Sequence, residues 1–260
     1  MCTLLIAVNQ FPEYPLLFLA NRDEFHERPT SPLHYWKDSP FSILAGKDEK
    51  EGGTWMGFAK GRIAALTNFR DLSLHQEGRF SRGFLVKNFL EKNITTEEYL
   101  SQLQSSRQNY NPYNLLWGDK FGLYVYNNVS NEASLLKKGI YGLSNAFLDT
   151  PWPKIQRGKE MLQKLANSSH PQIDDFFQIM RDETKALDSL LPNTGVGLER
   201  ERLLSSLFIS DRVYGTRSTS LLRISSTGEF EFTERTFDSQ SRLVGVRTFL
   251  GNENSPKNEI

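Results

Sequence analysis

The sequence predicts an α+β fold with mainly antiparallel sheets. Three observations lead there. Short apolar runs punctuated by Gly, Pro, Asn and Asp fill the first 70 residues and read as strands. Helical periodicities come in two separate blocks, with strands returning between and after them. Strands and helices therefore do not alternate as βαβα, and block order of this kind argues against a parallel doubly wound sheet.

Taken in order, Leu4–Val8, Leu16–Ala20, Ile43–Ala45, Trp55–Ala59 and Ile63–Leu66 are the first strands. Several are apolar at consecutive positions, as strands covered on both faces must be. A Pro-containing turn over Phe11–Pro15 makes the first two an antiparallel hairpin. Helix follows where Phe84, Leu85 and Phe89 share a face. A second helix begins at the capping-box pair Thr95 and Glu98, ahead of Tyr99, Leu100 and Leu103. NLLWGD, FGLYVYNN and ASLLKKGIYGLSN restore strands. The second helical block runs from Trp152 to about Leu191, with Pro153 suited to a first turn. Within it Ile155, Leu162 and Leu165 lie near one face, and Ile173, Phe176, Phe177 and Met180 match the i, i+3, i+4, i+7 template. A shorter helix is expected over Leu198 to Phe208. A terminal hairpin pairs STSLLRIS with EFEFTERTF, Phe230 and Phe232 sharing a face. One domain over residues 1–250 is expected. NENSPKNEI, after Gly251, lacks core-forming residues, so 251–260 reads as a flexible tail.

Bulk properties narrow the function. The 260 residues suffice for a core without disulfide or metal staples. Lys+Arg and Asp+Glu balance at 31 each, which leaves no basic footprint for nucleic acid. No apolar run approaches the roughly 20 residues of a membrane helix. No basic n-region precedes the first run, so no secretory signal is expected. The lone cysteine fits a reducing compartment, and a cytoplasmic location is expected.

That cysteine, Cys2, stands one residue from the start. If the initiator Met is removed, one residue carries both a thiol and a free α-amine. Their unperturbed pKa values, about 8.5 and about 8, lie close together. The amine can then accept the thiol proton and return it to a leaving amine, with no catalytic histidine. In LFLANRDEFHERP the hairpin brings Asn21, Arg22, Asp23 and Glu24 back beside Cys2, where a carboxylate would hold a protonated amine. In EGGTWMGF, Gly52-Gly53 permits a tight turn or a close backbone approach. Asn68 and Asn145 each end a strand, the first placed to donate to an oxyanion. Asn145 also suits a turn or helix cap. Arg217, in YGTRSTSLL, begins a strand, where it would hold a substrate carboxylate or lower the thiol pKa.

The ordered motifs MC, NRDE, GGTW-x-G, LTNFR, SRG at Ser81–Gly83, LSN, W-PK and YGTRS resemble the NRDE family, also called the transport and Golgi organisation 2 family. They span residues 1 to about 220. That family in turn resembles cysteine N-terminal-nucleophile (Ntn) hydrolases of the bile salt hydrolase and penicillin V acylase group. The resemblance implies a four-layer αββα sandwich. It implies that Cys2 is the nucleophile and that Asp23 binds its amine. It further implies that Asn68 and Asn145 stabilise the oxyanion and the amine, and that Arg217 lies near the thiol. Asn21, Arg22, Trp55, Phe69 and Arg70, from the same motifs, are the expected substrate-binding residues. There is one departure: those hydrolases carry an arginine three residues before the aspartate, and this chain has Ala20 there. Arg22 is close by but is expected to point to the other face.

The resemblance implies an amidohydrolase or acyltransferase acting on a non-peptide C–N amide or acyl group, without cofactor or metal. The alternative is a non-catalytic carrier of haem or of lipid and acyl-CoA on the same frame. His26, His34, His75 and His170 are isolated in predicted loops or polar stretches, and Cys2 is the other conceivable haem ligand.

Overall fold

A computed structural model describes residues 2–253. Strands β1 (Cys2–Val8) and β2 (Leu16–Phe25) form the expected hairpin, with Leu4 opposite Ala20 and Cys2 opposite Arg22. Strands β3 (Thr30–Tyr35), β4 (Leu44–Asp48), β5 (Met56–Ala59) and β6 (Arg62–Asn68) follow. Helices α1 (Gly83–Glu91) and α2 (Thr96–Ser106) come next, then β7 (Tyr113–Asp119), β8 (Gly122–Asn127), β9 (Glu132–Leu135) and β10 (Gly139–Leu143). The second helical block holds α3 (Pro153–Ala166) and α4 (Ile173–Met180), and a shorter helix, α5 (Leu198–Leu203), follows. Strands β11 (Tyr214–Ile224), β12 (Glu229–Phe237) and β13 (Leu243–Asn252) complete the described chain.

The strands make two antiparallel sheets, ordered β10-β1-β2-β11-β12-β13 and β3-β4-β5-β6-β7-β8-β9. Alternation along β1 and β2 explains their unbroken apolar runs. Leu4, Ile6, Phe18 and Ala20 face the second sheet, where Phe58, Ile63 and Leu116 meet them. Leu5, Ala7, Leu17 and Leu19 face away, onto Leu162 of α3 and Phe176 and Met180 of α4. The outer face of the second sheet is covered by Leu85, Val86 and Phe89 of α1 and by Tyr99 and Leu103 of α2. The capping box forms as expected, Thr95 accepting from the Glu98 amide and Glu98 from the Thr95 amide.

Several expectations are corrected. Strand β2 does not end at Ala20 but runs through NRDE to Phe25, with Asn21, Arg22 and Asp23 buried. Strands β3 and β13, both edge strands, were not expected: Pro32 interrupts β3, and the apolar residues of β13, Leu243, Val244, Val246, Phe249 and Leu250, keep no strict alternation. Pro32 is tolerated in β3, and Phe249 is the one buried residue of β13. The helical block stops at Met180 rather than near Leu191. Beyond it Asp182 turns its carbonyl to the Phe208 amide instead of continuing the helix. The helix from Leu198 ends at Leu203. Leu207, Phe208 and Ile209 are buried in irregular chain, and Ile209 exchanges hydrogen bonds with Thr216 of β11. Gly251 and Asn252 belong to β13 and Glu253 to a turn, while 254–260 of the expected tail lie outside the described residues.

Phe89 is fully buried beneath α1, beside Tyr99. Phe89→Ala is expected to cost about 3–5 kcal/mol. Urea unfolding checks this, with the midpoint falling at unchanged slope.

Candidate active site around Cys2

Cys2 opens the edge of a cleft of about 270 Å³ between the two sheets. Arg22, Asp23, Trp55, Leu66, Asn68 and Arg82 are among its walls. Cys2 is 8% exposed, and burial pushes its thiol pKa up. A nucleophile there needs help to ionise.

Arg22 corrects the expectation that it points elsewhere. Direct antiparallel partners share a face, and Arg22 is the register partner of Cys2. It occupies the same face as Ala20, one pleat further on. Its guanidinium lies 4.3 Å over the Trp55 ring, and Nη2 stands 3.9 Å from Asp48 Oδ2. Asp48 is already held by Arg28 Nε at 2.7 Å. Arg22 therefore stacks on one neighbour and only loosely meets its carboxylate, and among the described residues Nη1 has no hydrogen-bond partner.

Asp23 follows the parity of Leu17, Leu19 and Asn21, toward the helices, at the rim where the strand reaches the cleft. It is 1% exposed. Its Oδ1 accepts from Thr216 Oγ1 at 2.7 Å, and its carbonyl accepts from the Tyr214 hydroxyl at 2.9 Å. Burial raises its pKa, while Lys154, the Thr216 hydrogen bond and Arg22 oppose the rise. Lys154 is itself buried, 2% exposed, and donates to the Leu204 carbonyl at 3.0 Å.

Asn68 ends β6 and lines the cleft. Asn145 lies two residues beyond β10, well before α3, and does not cap that helix. Its Nδ2 donates to the Asn68 carbonyl at 2.9 Å, and its own carbonyl accepts the Arg70 amide at 2.8 Å. Asn145 thus fixes Asn68 rather than lining the cleft. Ser144 ties this loop to β1, meeting Thr3 Oγ1 at 3.1 Å. Asn114 holds it from the other sheet, donating to the carbonyl of Ala146 at 2.9 Å.

Arg217 is not brought to the thiol. It sits in a β-bulge of β11, between Thr216 and Ser218, and bulges re-aim side chains. Its Nη1 donates to the carbonyls of Phe25 (2.9 Å) and Arg28 (3.1 Å), pinning the end of β2. The arginine the sequence reading passed over is Arg82, of the SRG motif. It lines the cleft, donates to the Pro112 carbonyl at 2.9 Å, and is pushed down to about 10 by burial, an effect that negative charge at Cys2 would offset.

Three expected substrate residues face elsewhere. Asn21 donates to the carbonyls of Met180 (2.8 Å) and Leu207 (2.9 Å) and accepts from Thr219, so it anchors the helical layer. Phe69 packs edge-on against Phe147, ring centroids 4.9 Å apart. Arg70 makes a buried ion pair with Glu201, Nη2 to Oε2 2.7 Å, beneath the Trp152 ring. Burial lowers the Arg70 pKa and Glu201 counters that. The two glycines of GGTW divide the expected tasks. Gly52 takes a positive φ of 73° in a turn. A Cβ on Gly53 would stand 2.6 Å from the Gly83 carbonyl carbon, so this glycine serves the close approach of two backbones.

No histidine lines the cleft. His26 Nε2 meets the Asp211 carbonyl at 3.0 Å, and His34 Nδ1 meets the Pro32 carbonyl at 2.7 Å. Among the described residues no helix is long and apolar enough to cross a membrane.

Fold and cleft together define an α+β protein of two antiparallel sheets, with a buried cysteine at the mouth of a charged inter-sheet cleft. Comparison with known sequences carries this further. Residues 1–239 match the family described as Transport and Golgi organisation 2, and the chain belongs to that family. It is 33% identical over 240 residues to the Transport and Golgi organization protein 2 homolog of Homo sapiens, covering 85% of this chain and 86% of that one. The Bos taurus homolog is 32% identical over the same length and coverage. Transport and Golgi organization protein 2 of Drosophila melanogaster is 23% identical over 267 residues, covering 91% and 92%.

Two substitutions test the frame of the site. Glu201→Gln strands the buried Arg70 charge and is expected to cost about 3–5 kcal/mol, read as a loss in chemical-denaturation stability. Gly53→Ala forces the cleft floor apart. A loss of about 1–3 kcal/mol is expected, seen as a lowered Tm.

Proposed function

We propose that this chain is an N-terminal-cysteine amidohydrolase or acyltransferase built on an Ntn-hydrolase-like four-layer sandwich. The observation that carries the reading is that Cys2, Asp23 and Asn68 line one cleft. The helices over both outer sheet faces support the layering.

The reading requires that Met1 be removed, so that Cys2 carries the free α-amine. The thiol proton passes to that amine, and Asp23 steadies the resulting cation. Sγ attacks the carbonyl carbon of a non-peptide amide. Asn68, held by Asn145, donates to the oxyanion. Collapse breaks the C–N bond, and the leaving amine takes the proton from the α-ammonium. Water or a second amine then attacks the thioester, releasing the acyl group and restoring the thiol. Arg22 and Arg82 supply the positive charge that favours a buried thiolate, the part first expected of Arg217. Trp55, beneath Arg22, offers the substrate an apolar wall.

The names of the relatives refer to transport and Golgi organisation, and a carrier of haem or acyl-CoA on this frame is the competing reading. The two part in experiment. Native protein should show an N-terminal mass without Met1. An activated p-nitrophenyl ester should add one acyl group at Cys2, and Cys2→Ala should lose that adduct while keeping the far-UV spectrum. Asp23→Asn should slow labelling about tenfold or more. Retained Met1, or labelling indifferent to Asp23→Asn, would sink the hydrolase. Saturable, stoichiometric haemin binding that is lost in Cys2→Ala would favour the carrier.

A further inference from the structure

A second cavity lies behind one wall of the cleft. Cys2 pairs with Arg22, Arg22 with Ser218 and Ser218 with Thr236. Direct partners share a face, so these four side chains form one row across β1, β2, β11 and β12. The row runs from the Cys2 cleft into a chamber of about 200 Å³. Arg22 and Trp55 line both spaces and are the wall they share. Arg217, Ser218, Glu234 and Thr236 line the chamber and not the cleft.

The chamber holds donors that nothing answers. The Arg22 side chain is only 5% exposed, and its Nη2 is turned to Asp48, which lines the cleft alone. That leaves Nη1, without a hydrogen-bond partner among the described residues, as the donor for the chamber. Ser218 Oγ acts on the Glu234 carboxylate but completes no hydrogen bond of normal geometry. Arg217 is held through Nη1 by the neutral carbonyls of Phe25 and Arg28. Burial and then Arg22 lower the Arg217 pKa, and Glu24 of the cleft opposes them. The chamber's own carboxylate, Glu234, is 2% exposed and already engaged. Its Oε1 accepts from the Leu33 amide at 2.7 Å and its Oε2 from Ser220 Oγ at 3.4 Å.

We propose that this chamber binds the carboxylate group of a small organic acid, held between the Arg22 and Arg217 guanidiniums with the Ser218 and Thr236 hydroxyls beside it. The site goes beyond the hydrolase reading and stands whether or not Cys2 is a nucleophile. Two guanidiniums against one carboxylate leave one positive charge, which a monoanion cancels and a phosphate dianion overshoots. The arginine fork also matches a carboxylate with two parallel hydrogen bonds. The volume is below the roughly 300–1,000 Å³ of pockets for drug-sized molecules, so the acid is small.

The test is a titration of the full chain with sodium propionate at constant ionic strength, followed by nitrogen-15 NMR of the arginine Nε–H and tryptophan indole groups. Propionate should saturate, with the shifts at Arg22, Arg217 and Trp55. Arg217→Met should weaken binding about tenfold or more, as loss of a charged hydrogen-bond donor does. Thr236→Val, a smaller change at the far end of the row, should weaken it about threefold; it decides if Arg217→Met does not fold. Inorganic phosphate should bind more weakly than propionate. No saturation by about 50 mM propionate, shifts centred on Arg82 that survive Arg217→Met, binding indifferent to Thr236→Val, or phosphate binding as tightly as propionate each overturn the proposal. Cys2→Ala, which ends any thiol chemistry, should leave propionate binding unchanged, so failure of the hydrolase reading and failure of this site are told apart.

Discussion

Strand β2 carries three polar side chains, Asn21, Arg22 and Asp23, into the interior without leaving the sheet, and each must find a partner there. A buried amide, guanidinium or carboxylate without one costs several kcal/mol. The rest of the molecule is arranged around that requirement. Asn21 is answered by carbonyls at the ends of the second helical block, which fixes where α4 and the Leu204–Ile209 segment lie. Arg22 is answered by the Trp55 ring and, loosely, by Asp48 of the opposite sheet. Asp23 is answered by Thr216 of the neighbouring strand. One tripeptide thus ties both sheets and one helical layer to the point where β1 begins.

The same arrangement accounts for the position of Cys2. A residue at the start of a central strand shares its register partner's face, so Arg22 comes to Cys2 by pairing alone. The opposite sheet reaches the same point because β6 ends there at Asn68. The Asn145 loop closes the gap by binding the Asn68 carbonyl and the Arg70 amide. The buried Arg70–Glu201 pair then clamps this junction to α5. Several residues that read as substrate contacts are in this way the fixings that hold the cleft open.

Much of this was legible in the residues themselves. The hairpin followed from two apolar runs and a proline turn. The helices followed from Thr95 with Glu98 and from the Phe176, Phe177, Met180 face. The edge strands β3 and β13 were not legible, because Pro32 interrupts the first and the apolar residues of the second, Leu243, Val244, Val246, Phe249 and Leu250, follow no period of two. The end of β2 was misread for another reason: polarity ordinarily marks a strand leaving the core, and here it marks polar groups satisfied within it. Cys2, Arg22, Asp23, Trp55 and Asn68 were placed in one cleft, while Asn21, Phe69, Arg70 and Arg217 were drawn to other partners.

Local residue patterns alone dictate the α+β class, the block order of strands and helices, the first hairpin, and the nearness of Cys2 to the NRDE tetrapeptide. All of these depend on local periodicity or on pairing between adjacent segments. The long-range packing decides which arginines line the cleft beside Cys2, namely Arg22 and Arg82, and that Asn145 braces Asn68. The Asn145–Asn68 contact joins residues 77 positions apart, and Arg82 reaches the cleft from a different sheet's helical layer. Their direction is set by sheet stacking, a single bulge at Arg217 and the course of an irregular segment, none of which leaves a period in the chain.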